Sequence, residues 1–406
     1  MLGRARLSMN NEIKILVLSD LHAIVKVDNS NIDDSLLVFK NGTSKFGSSF
    51  IEYAKRLELK IDILICSGDI SNKANTEGFR QGWLFLNTVK KELNIPQILS
   101  VPGNHDHQSR ETPGVFDPKH HLQFISPPFP FECNNKNTHF WGWHWCHSHI
   151  DDQPINAISL NSSAYHGYSD EFEHGRISTE ACNQISKYIK SDSFEKRTFN
   201  LLLCHHHPEK MDYVDFDYDC EEMEGGSYLL RELDKAEKGP WLIIHGHKHF
   251  ADIVYARSLS SCGPTIFSAG SMSAKLHEPI EDRASNQFYI LNIDNNKTEE
   301  EERLIGTFQA HEWTTSDGWH PSKTNHLPSE GGFGDKTSPK KTAREIAKNI
   351  SDKTPFLDIE DLKVFDEKLK YLTPLDLGQL IKSIEEGGLE VIVENNRICQ
   401  IGRPAQ

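Results

Sequence analysis

Six short apolar segments recur between residues 13 and 267, and each is followed by polar or turn-forming residues. Apolar segments of this length, bounded by Gly, Pro, Asp or Asn, predict buried β-strands. The six segments are 13–18, 61–66, 98–101, 201–204, 241–244 and 265–267. The pattern therefore predicts a core of buried strands with polar side chains gathered at the strand ends.

Amphipathic stretches with helical periodicity lie between these strands. They are Phe50–Leu59, Phe79–Leu93, Ser178–Lys190 and Ser227–Ala236. Ser178 is the predicted N-cap of its helix, with Glu180 in the first turn. Strands that alternate with helices predict an α/β core, in which ligands bind outside the carboxyl ends of the strands.

The pattern changes after residue 310. Residues 311–341 are rich in Ser, Thr, Gly, Pro and Lys, a composition typical of a linker. Three helical patterns and one hairpin pattern follow, at 342–350, 359–371, 374–384 and 389–401. The hairpin is expected to turn at Asn395-Asn396, because Asn tolerates positive φ. We therefore predict a first domain over residues 10–310, a linker over 311–341, and a small α+β module over 342–406.

The composition is that of a globular protein, with 37% hydrophobic and 25% charged residues. No apolar run approaches the roughly 18 residues that span a bilayer, and residues 1–10 lack the apolar core of a secretory signal. The eight Cys are scattered and form no C-x-x-C pair, which favours free thiols in a reducing compartment. We expect a cytoplasmic protein that makes no membrane contact.

The formal net charge is −15, from 59 acidic and 44 basic residues. Tight binding to long nucleic acid depends on Lys and Arg, so this balance disfavours such a partner. The net charge does not exclude a small phosphate-containing substrate, because bound metal cations would invert the local electrostatic field.

Five polar motifs follow five of the six predicted strands, in chain order. They are Asp20-x-His22, Gly68-Asp69, Gly103-Asn104-His105-Asp106, His205 and Gly246-His247-x-His249. Carboxylate, amide and imidazole groups together suit first-row ions such as Mn, Fe or Zn. One carboxylate can bridge two ions about 3.5–4 Å apart, an arrangement used for in-line phosphoryl displacement.

This ordered set of motifs resembles the calcineurin-like metallophosphoesterase family, and the resemblance covers residues 13–293. It implies an α/β fold in which two mixed β-sheets pack as a sandwich flanked by helices. It also implies a dinuclear metal centre, with a hydroxide shared by the two ions as the nucleophile.

The resemblance assigns the roles of the family's site residues to the matching positions of this chain. Three groups of ligands are implied: Asp20, His22 and His249 for one ion, Asn104, His205 and His247 for the other, and Asp69 as the bridge. His105 would act on the leaving-group oxygen as a general acid, and Asp106 would orient it.

The run His205-His206-His207 offers three candidates for one ligand position. We choose His205 because it directly follows the strand and matches the family position. His206 would then face the substrate or support a ligand, and His207 would be structural. The segment Trp141–His149 is another cluster of possible ligands, but its spacing fits no zinc pattern. Alternating Trp residues there predict a strand with one aromatic face.

The function that the resemblance implies is hydrolysis of a phosphate ester. A small, nucleotide-like phosphodiester is preferred, because two further segments resemble bacterial cyclic-nucleotide phosphodiesterases. Those segments are His205–Pro208, and Leu160–Ser162 followed by His174–Arg176.

Three other functions compete with hydrolysis of a small phosphodiester. A metal-dependent nuclease would use the same site, and the acidic net charge argues against it for long nucleic acid. A non-catalytic scaffold would have lost ligands, and none is replaced here. An effector that docks a partner would use the C-terminal module, whose helices followed by a hairpin are loosely the order of a winged helix. Lys341–Gln406 holds 10 basic and 12 acidic residues, so we expect contact with a protein partner or self-association there more than DNA binding.

Overall fold

Two mixed β-sheets packed face to face form the centre of the computed structural model. The model describes residues 11–26, 34–108, 117–150, 153–167, 174–211, 222–257, 263–276, 284–324 and 327–404. The strands are β1 Glu12–Leu18, β2 Ile24–Val25, β3 Val38–Phe39, β4 Ile63–Cys66, β5 Gln97–Ser100, β6 Trp145–His149, β7 Ile155–Leu160, β8 Phe199–Leu203, β9 Trp241–His245, β10 Asp252–Tyr255, β11 Thr265–Ser268, β12 Asn286–Asp294, β13 Gly306–Thr314, β14 Gly318–Pro321, β15 Glu330–Phe333, β16 Phe356–Leu357, β17 Glu390–Glu394 and β18 Arg397–Gly402.

The α-helices lie on the outer faces of the sheets and in the C-terminal module. They are Lys45–Arg56, Thr76–Glu92, His120–Gln123, Asn134–Trp143, Thr179–Lys190, Gly226–Lys235, Asn295–Glu300, Pro339–Ala347, Ile359–Leu362, Asp366–Leu369 and Pro374–Glu385. Ser178 caps Thr179–Lys190 as expected, and its side chain accepts a hydrogen bond from the Ala181 amide. Among the described residues, no helix combines the length and apolarity needed to cross a membrane.

The first sheet has the order β14-β13-β12-β1-β4-β5, and β15 also pairs with β13. Its strands β1, β4 and β5 are parallel, whereas β12, β13 and β14 run antiparallel. The second sheet has the order β10-β11-β9-β8-β7-β6, with four parallel strands between two antiparallel edges. The carboxyl ends of β1, β4 and β5 therefore lie at one edge of the first sheet, and those of β8 and β9 at one edge of the second.

Alternate side chains of each strand enter different hydrophobic clusters. In β1, Ile15 and Val17 pack between the two sheets together with Leu203 of the second sheet. Leu16 and Leu18 point the other way, toward helices Lys45–Arg56 and Thr76–Glu92. Helices Thr179–Lys190 and Gly226–Lys235 cover the outer face of the second sheet in the same manner. The expected α/β sandwich of two mixed sheets flanked by helices is confirmed.

Residues 311–341 are more ordered than their composition predicts. They contain β14 and β15, which hydrogen-bond to β13 and so extend the first sheet. Trp319 and Phe333 from this segment are buried in the clusters of the first domain. A loose linker is therefore not what the structure shows for residues 311–324 and 327–333.

The aromatic segment around Trp143 also differs from expectation. A strand was expected from its alternating Trp residues, but Asn134–Trp143 is a helix that ends at His144 in the left-handed conformation. Only Trp145 begins a strand, and its side chain is buried against the second sheet, whereas Trp143 is exposed. The Trp residues thus line no common face.

The C-terminal module has its own apolar cluster and a three-stranded sheet of order β16-β18-β17. The predicted hairpin is confirmed: Asn395 and Asn396, at φ 48° and 59°, form its turn. The module contacts the first domain through Tyr371, whose hydroxyl donates to Asp294 at 2.8 Å. The helical pattern at 359–371 is divided into two short α-helices with a 3₁₀ turn between them.

Candidate metal centre

All the candidate ligands lie in loops that directly follow buried strands, and both sheets contribute. Backbone hydrogen bonds join these loops to one another. The Asp20 amide donates to Gly68 at 3.1 Å, the His22 amide donates to Asp69 at 2.9 Å, and the Gly246 amide donates to His205 at 3.0 Å. These bonds continue the strand pairing past the strand ends, so residues far apart in sequence are held together by the sheet scaffold.

Five of the seven candidate ligands have positive φ. The angles are 49° at Asp20, 44° at His22, 50° at Asp69, 77° at His247 and 55° at His249. This left-handed conformation costs an L-residue roughly 1–2 kcal/mol. Such strain persists at functional sites where the surrounding structure enforces it.

Two glycines beside the ligands explain how the loops come so close. A Cβ on Gly103 would collide with the Asp69 carboxylate, and a Cβ on Gly246 would collide with the Asp20 carboxylate. Any other residue at these positions would push a carboxylate away. The glycines of the motifs therefore permit the dense packing of donor atoms.

One group of donors is formed by Asp20, His22 and His249, which offer one atom each within 4.8 Å of one another. The two imidazole Nε2 atoms of His22 and His249 are 3.1 Å apart, and Nε2 of His249 is 3.4 Å from Oδ1 of Asp20. Burial raises the pKa of Asp20, but its hydrogen bond with His249 and the His charges lower it below the ordinary value. The group presents an ionised carboxylate and two imidazoles.

A second group surrounds the amide oxygen of Asn104. Its Oδ1 lies 3.0 Å from Nε2 of His205 and 3.2 Å from Nδ1 of His247. Nδ1 of His205 lies 2.8 Å from the Ser67 carbonyl. Because a carbonyl only accepts hydrogen bonds, that nitrogen carries the proton, and the lone pair of Nε2 is left for a metal ion.

Asp69 lies between the two groups. Its Oδ2 is 3.5 Å from Nε2 of His22 and 3.4 Å from Nε2 of His205. Burial raises the pKa of Asp69, but the charges that His205 and His105 carry when their rings are protonated, before a metal ion takes the place of a proton, lower it well below its usual range. A single ionised oxygen is therefore shared by both sets of donors.

The donor set fits two first-row metal ions. Neighbouring donors are separated by 3.0–3.5 Å, close to the spacing of adjacent ligands around an ion with bonds of about 2.0–2.2 Å. Carboxylate, amide and imidazole donors are the ones that Mn, Fe and Zn take. The seven residues that the sequence analysis singled out as ligands are all brought together.

His105 is close to this centre, as its predicted role requires. Its ring packs edge to face on that of His22, with centroids 4.5 Å apart. Nδ1 of His105 lies 3.1 Å from Oδ1 of Asn72. Asn72 was missed by the sequence analysis, and its position three residues after Asp69 is the one sequence signal for it.

Asp106 is engaged with the backbone of the surrounding loops. Its carboxylate accepts hydrogen bonds from the amides of Ile70 at 3.1 Å, Ser71 at 2.7 Å and Gly103 at 2.9 Å. Burial and the charge of Asp69 raise the pKa of Asp106 to about 7. An effect of Asp106 on His105 through these loops stays a prediction, whereas Asn72 contacts the ring directly.

His206 lies against the second group. It is fully buried, and one of its ring nitrogens lies within 4.8 Å of donor nitrogens of His205 and His247. Burial and the charges of His247 and His205 lower the pKa of His206 well below its ordinary value, so its ring is neutral. The structure thus places His206 beside the candidate ligands, and whether it faces the substrate or supports a ligand stays a prediction.

A two-sheet α/β sandwich with clustered His, Asp and Asn side chains at its strand ends is typical of metal-dependent phosphoesterases. The sequence profile of the calcineurin-like phosphoesterase family matches residues 13–251. The chain therefore belongs to the calcineurin-like phosphoesterase family. A second profile, a winged helix-turn-helix module associated with calcineurin-like proteins, matches residues 331–386. No curated protein matches the chain by sequence.

A comparison with solved structures gives matches at low sequence identity. A purple acid phosphatase from yellow lupin (Lupinus luteus) seeds is 18% identical, with a TM-score of 0.46 over 76% of this chain and 52% of that one. A dimetal phosphatase from Danio rerio is 12% identical, with a TM-score of 0.43 over 69% and 94% of the two chains. A calcineurin-like phosphoesterase from Bacillus subtilis is 11% identical, with a TM-score of 0.37 over 77% and 88%. The present chain spans about half the length of the lupin enzyme that it matches.

Proposed function

We propose that the chain hydrolyses phosphate esters with a dinuclear metal centre, and that small, nucleotide-like phosphodiesters are its preferred substrates. The observation that carries the proposal is Oδ2 of Asp69, which lies within 3.5 Å of a donor nitrogen from each of the two groups. One carboxylate oxygen in that position suits a bridge between two ions. The preference for diesters rests on the resemblance of the segments around Leu160, His174 and His205 to cyclic-nucleotide phosphodiesterases.

We assign the candidate ligands to two ions, and the short distances within each group of donor atoms support this division. Asp20, His22 and His249 would hold one ion, Asn104, His205 and His247 the other, and Asp69 both. A pair of Mn, Fe or Zn ions, when bound, supplies an activated water at neutral pH and neutralises charge on the phosphoryl oxygens.

The protein's own side chains supply a proton donor and the contacts that position it. His105 donates a proton to the leaving-group oxygen, and the contact of its Nδ1 with Asn72 fixes the plane of the ring. Asp106 holds the loop that carries His105 against the loop that carries Asp69. Five of the seven ligands are buried, which limits the access of bulk water to the ions.

A substrate panel combined with metal analysis tests this proposal. The purified chain is stripped with a chelator, reloaded separately with Mn, Fe or Zn, and assayed on four substrates. They are bis-p-nitrophenyl phosphate, p-nitrophenyl phosphate, cyclic nucleotides and single-stranded DNA. Chelation should abolish activity, reloading should restore it at two ions per chain, and the diesters should be cleaved faster than the monoester. Full activity with fewer than one ion per chain contradicts the dinuclear site, and preferential cleavage of DNA favours the nuclease alternative.

A second function is proposed for the C-terminal module, namely contact with a protein partner or with a second copy of the chain. Nine large apolar side chains are exposed among the described residues, and six of them belong to this module. They are Phe356, Ile359, Val364, Leu375, Ile392 and Val393. Contiguous exposed apolar patches mark interaction surfaces, and the concentration of six such side chains in one small module supports this role.

The oligomeric state of the full chain tests the second function. Light scattering should give a mass above that of one chain, and Val364→Ser should lower it, because the side chain is 83% exposed. Thr354→Ser, a polar substitution in the same module, is the control. A monomer at all concentrations leaves contact with a different protein as the interpretation, and tight binding of duplex DNA contradicts both.

A further inference from the structure

The hydroxyl of Ser162 has three hydrogen-bond partners, all on two adjacent histidines. Ser162 follows β7, and its Oγ accepts hydrogen bonds from the backbone amides of His205 and His206, each at 3.2 Å. The same oxygen lies 2.9 Å from Nδ1 of His206. These contacts join the end of β7 to the end of β8, because Ser162 lies 43 residues before His205 and 44 before His206.

The number of hydrogen bonds that a hydroxyl can donate and accept decides which atom is the donor between Ser162 and Nδ1 of His206. A serine hydroxyl has one hydrogen to donate and two lone pairs that accept. The two amides occupy the lone pairs, so the O–H is directed to Nδ1 of His206. Nδ1 therefore accepts, and the single proton of the neutral ring is on Nε2.

The adjacent histidines are consequently in opposite tautomers. Nδ1 of His205 faces the Ser67 carbonyl and must donate, which leaves a lone pair on its Nε2. Nδ1 of His206 faces the Ser162 hydroxyl and must accept, which leaves a hydrogen on its Nε2. A protonated nitrogen has no lone pair for a metal ion, so His205 can be a ligand through Nε2 and His206 cannot.

The Nε2–H of His206 is buried and has no hydrogen-bond partner among the described residues. Gly175 packs directly on the ring, so closely that a Cβ at that position would collide with it. Its centroid is 4.4 Å from that of His247. An unsatisfied buried N–H is unfavourable, and a bound acceptor atom would satisfy it.

We propose that Nε2–H of His206 is a fixed, neutral donor to an oxygen of the bound phosphate group, and that Ser162 is the positioning residue that sets its tautomer. The proposal rests on the proposed function, because it needs a phosphate ester at the metal centre. A neutral donor binds the anionic oxygen without drawing the ionised ligand Asp69 into an ion pair. The assignment also gives the second histidine of the run a role distinct from metal binding.

Inorganic phosphate is the probe, and its inhibition constant and the metal content are measured for each variant. His206→Ala should keep two ions per chain and weaken phosphate binding about tenfold or more, as expected for a lost hydrogen bond to a charged group. His206→Gln places an amide N–H near the position of Nε2 and should restore part of the loss. Ser162→Ala should weaken phosphate binding and keep both ions, Ser162→Thr should behave like wild type, and the neighbouring Ser163→Ala is the control.

The tautomer is read separately by NMR of the chain with ¹⁵N-labelled histidine. Wild type should show one buried histidine protonated at Nε2 that loses this signature in His206→Ala and becomes a tautomer mixture in Ser162→Ala. Loss of one ion in His206→Ala would make His206 a ligand and overturn the proposal, as would unchanged phosphate inhibition with both ions bound. Failure of the phosphoesterase function would instead appear in wild type, as fewer than two ions or no turnover.

Discussion

The backbone amide of His105 donates a 2.7 Å hydrogen bond to Oδ1 of Asp69. This bond occupies one carboxylate oxygen, so Oδ2 is the atom left to face both sets of metal donors. It also ties the position of the proposed general acid to that of the proposed bridge. Substitutions at the two residues should nevertheless have different effects, because one side chain binds metal and the other does not.

Asp69→Asn should lose metal and turnover together. A neutral amide cannot balance two dications, so metal content should fall below one ion per chain and turnover by more than about 100-fold. Asp62→Asn is the control, because Asp62 lies at the other end of β4 and accepts a hydrogen bond from the Lys14 amide. Metal content is measured by elemental analysis after gel filtration. Two tightly retained ions in Asp69→Asn would place the bridge elsewhere.

His105→Ala should lower turnover while metal content and melting temperature stay close to wild type. General acid catalysis contributes about 10²–10⁴-fold, so the loss should reach this range for a diester with an alkoxide leaving group. It should be much smaller for a p-nitrophenyl leaving group, which hardly needs a proton. The exposed His120→Ala is the control. An equal loss on both esters, or loss of an ion, would exclude the acid role.

Asn72→Asp should shift the pH dependence of kcat/KM. A carboxylate beside Nδ1 of His105 favours the protonated imidazole and should raise the pKa of that ring by about one unit or more. The alkaline limb of the profile should therefore move to higher pH, whereas Asn72→Ala should lower turnover about tenfold without this shift. An unchanged profile in Asn72→Asp would mean that the contact does not bear on the reaction.

A chain ending at Asp335 should fold and cleave a chromogenic diester, whereas one ending at residue 312 should not fold. The shorter chain lacks Trp319, Leu327 and Phe333, which are buried in the two clusters of the first domain. Loss of a single buried large side chain costs about 2–5 kcal/mol, and several such losses exceed the stability of a typical domain. Circular dichroism melts and diester turnover compare the two chains. Equal stability would show that β14 and β15 are dispensable.

Glu232→Gln should destabilise the fold at neutral pH and have a smaller effect in acid. Hydrogen bonds from Lys190 and Ser186 lower the pKa of Glu232 to about 2. A lowered pKa gives stability that is complete above the ordinary value of about 4.3 and is lost as pH falls toward 2. Because Lys190 and the second lysine partner of Glu232, Lys235, are half-exposed, the expected loss is about 1–2 kcal/mol. Urea unfolding at pH 7 and pH 3 measures it, and an equal effect at both pH values contradicts the ion-pair cause.

The buried strands and their polar ends were predictable because their apolar runs are short, continuous and bounded by turn residues. The Asn395-Asn396 turn was predictable for a similar local reason. Strands β14 and β15 were not, since they are rich in Gly and polar residues and become strands only by pairing with β13. The contact of Ser162 with His206 could not be predicted from the sequence either, because it joins residues 44 positions apart.

The left-handed backbone at Asp20, His22, Asp69, His247 and His249 has a consequence for laboratory evolution. Glycine would relax each of these positions, and it would delete a donor atom at the same time. A library screened only for thermal resistance in the presence of a chelator should therefore accumulate glycine at these five sites and lose turnover. The same screen with metal present should retain all five residues. Metal binding to their side chains would then stabilise the fold more than relaxation of the backbone would.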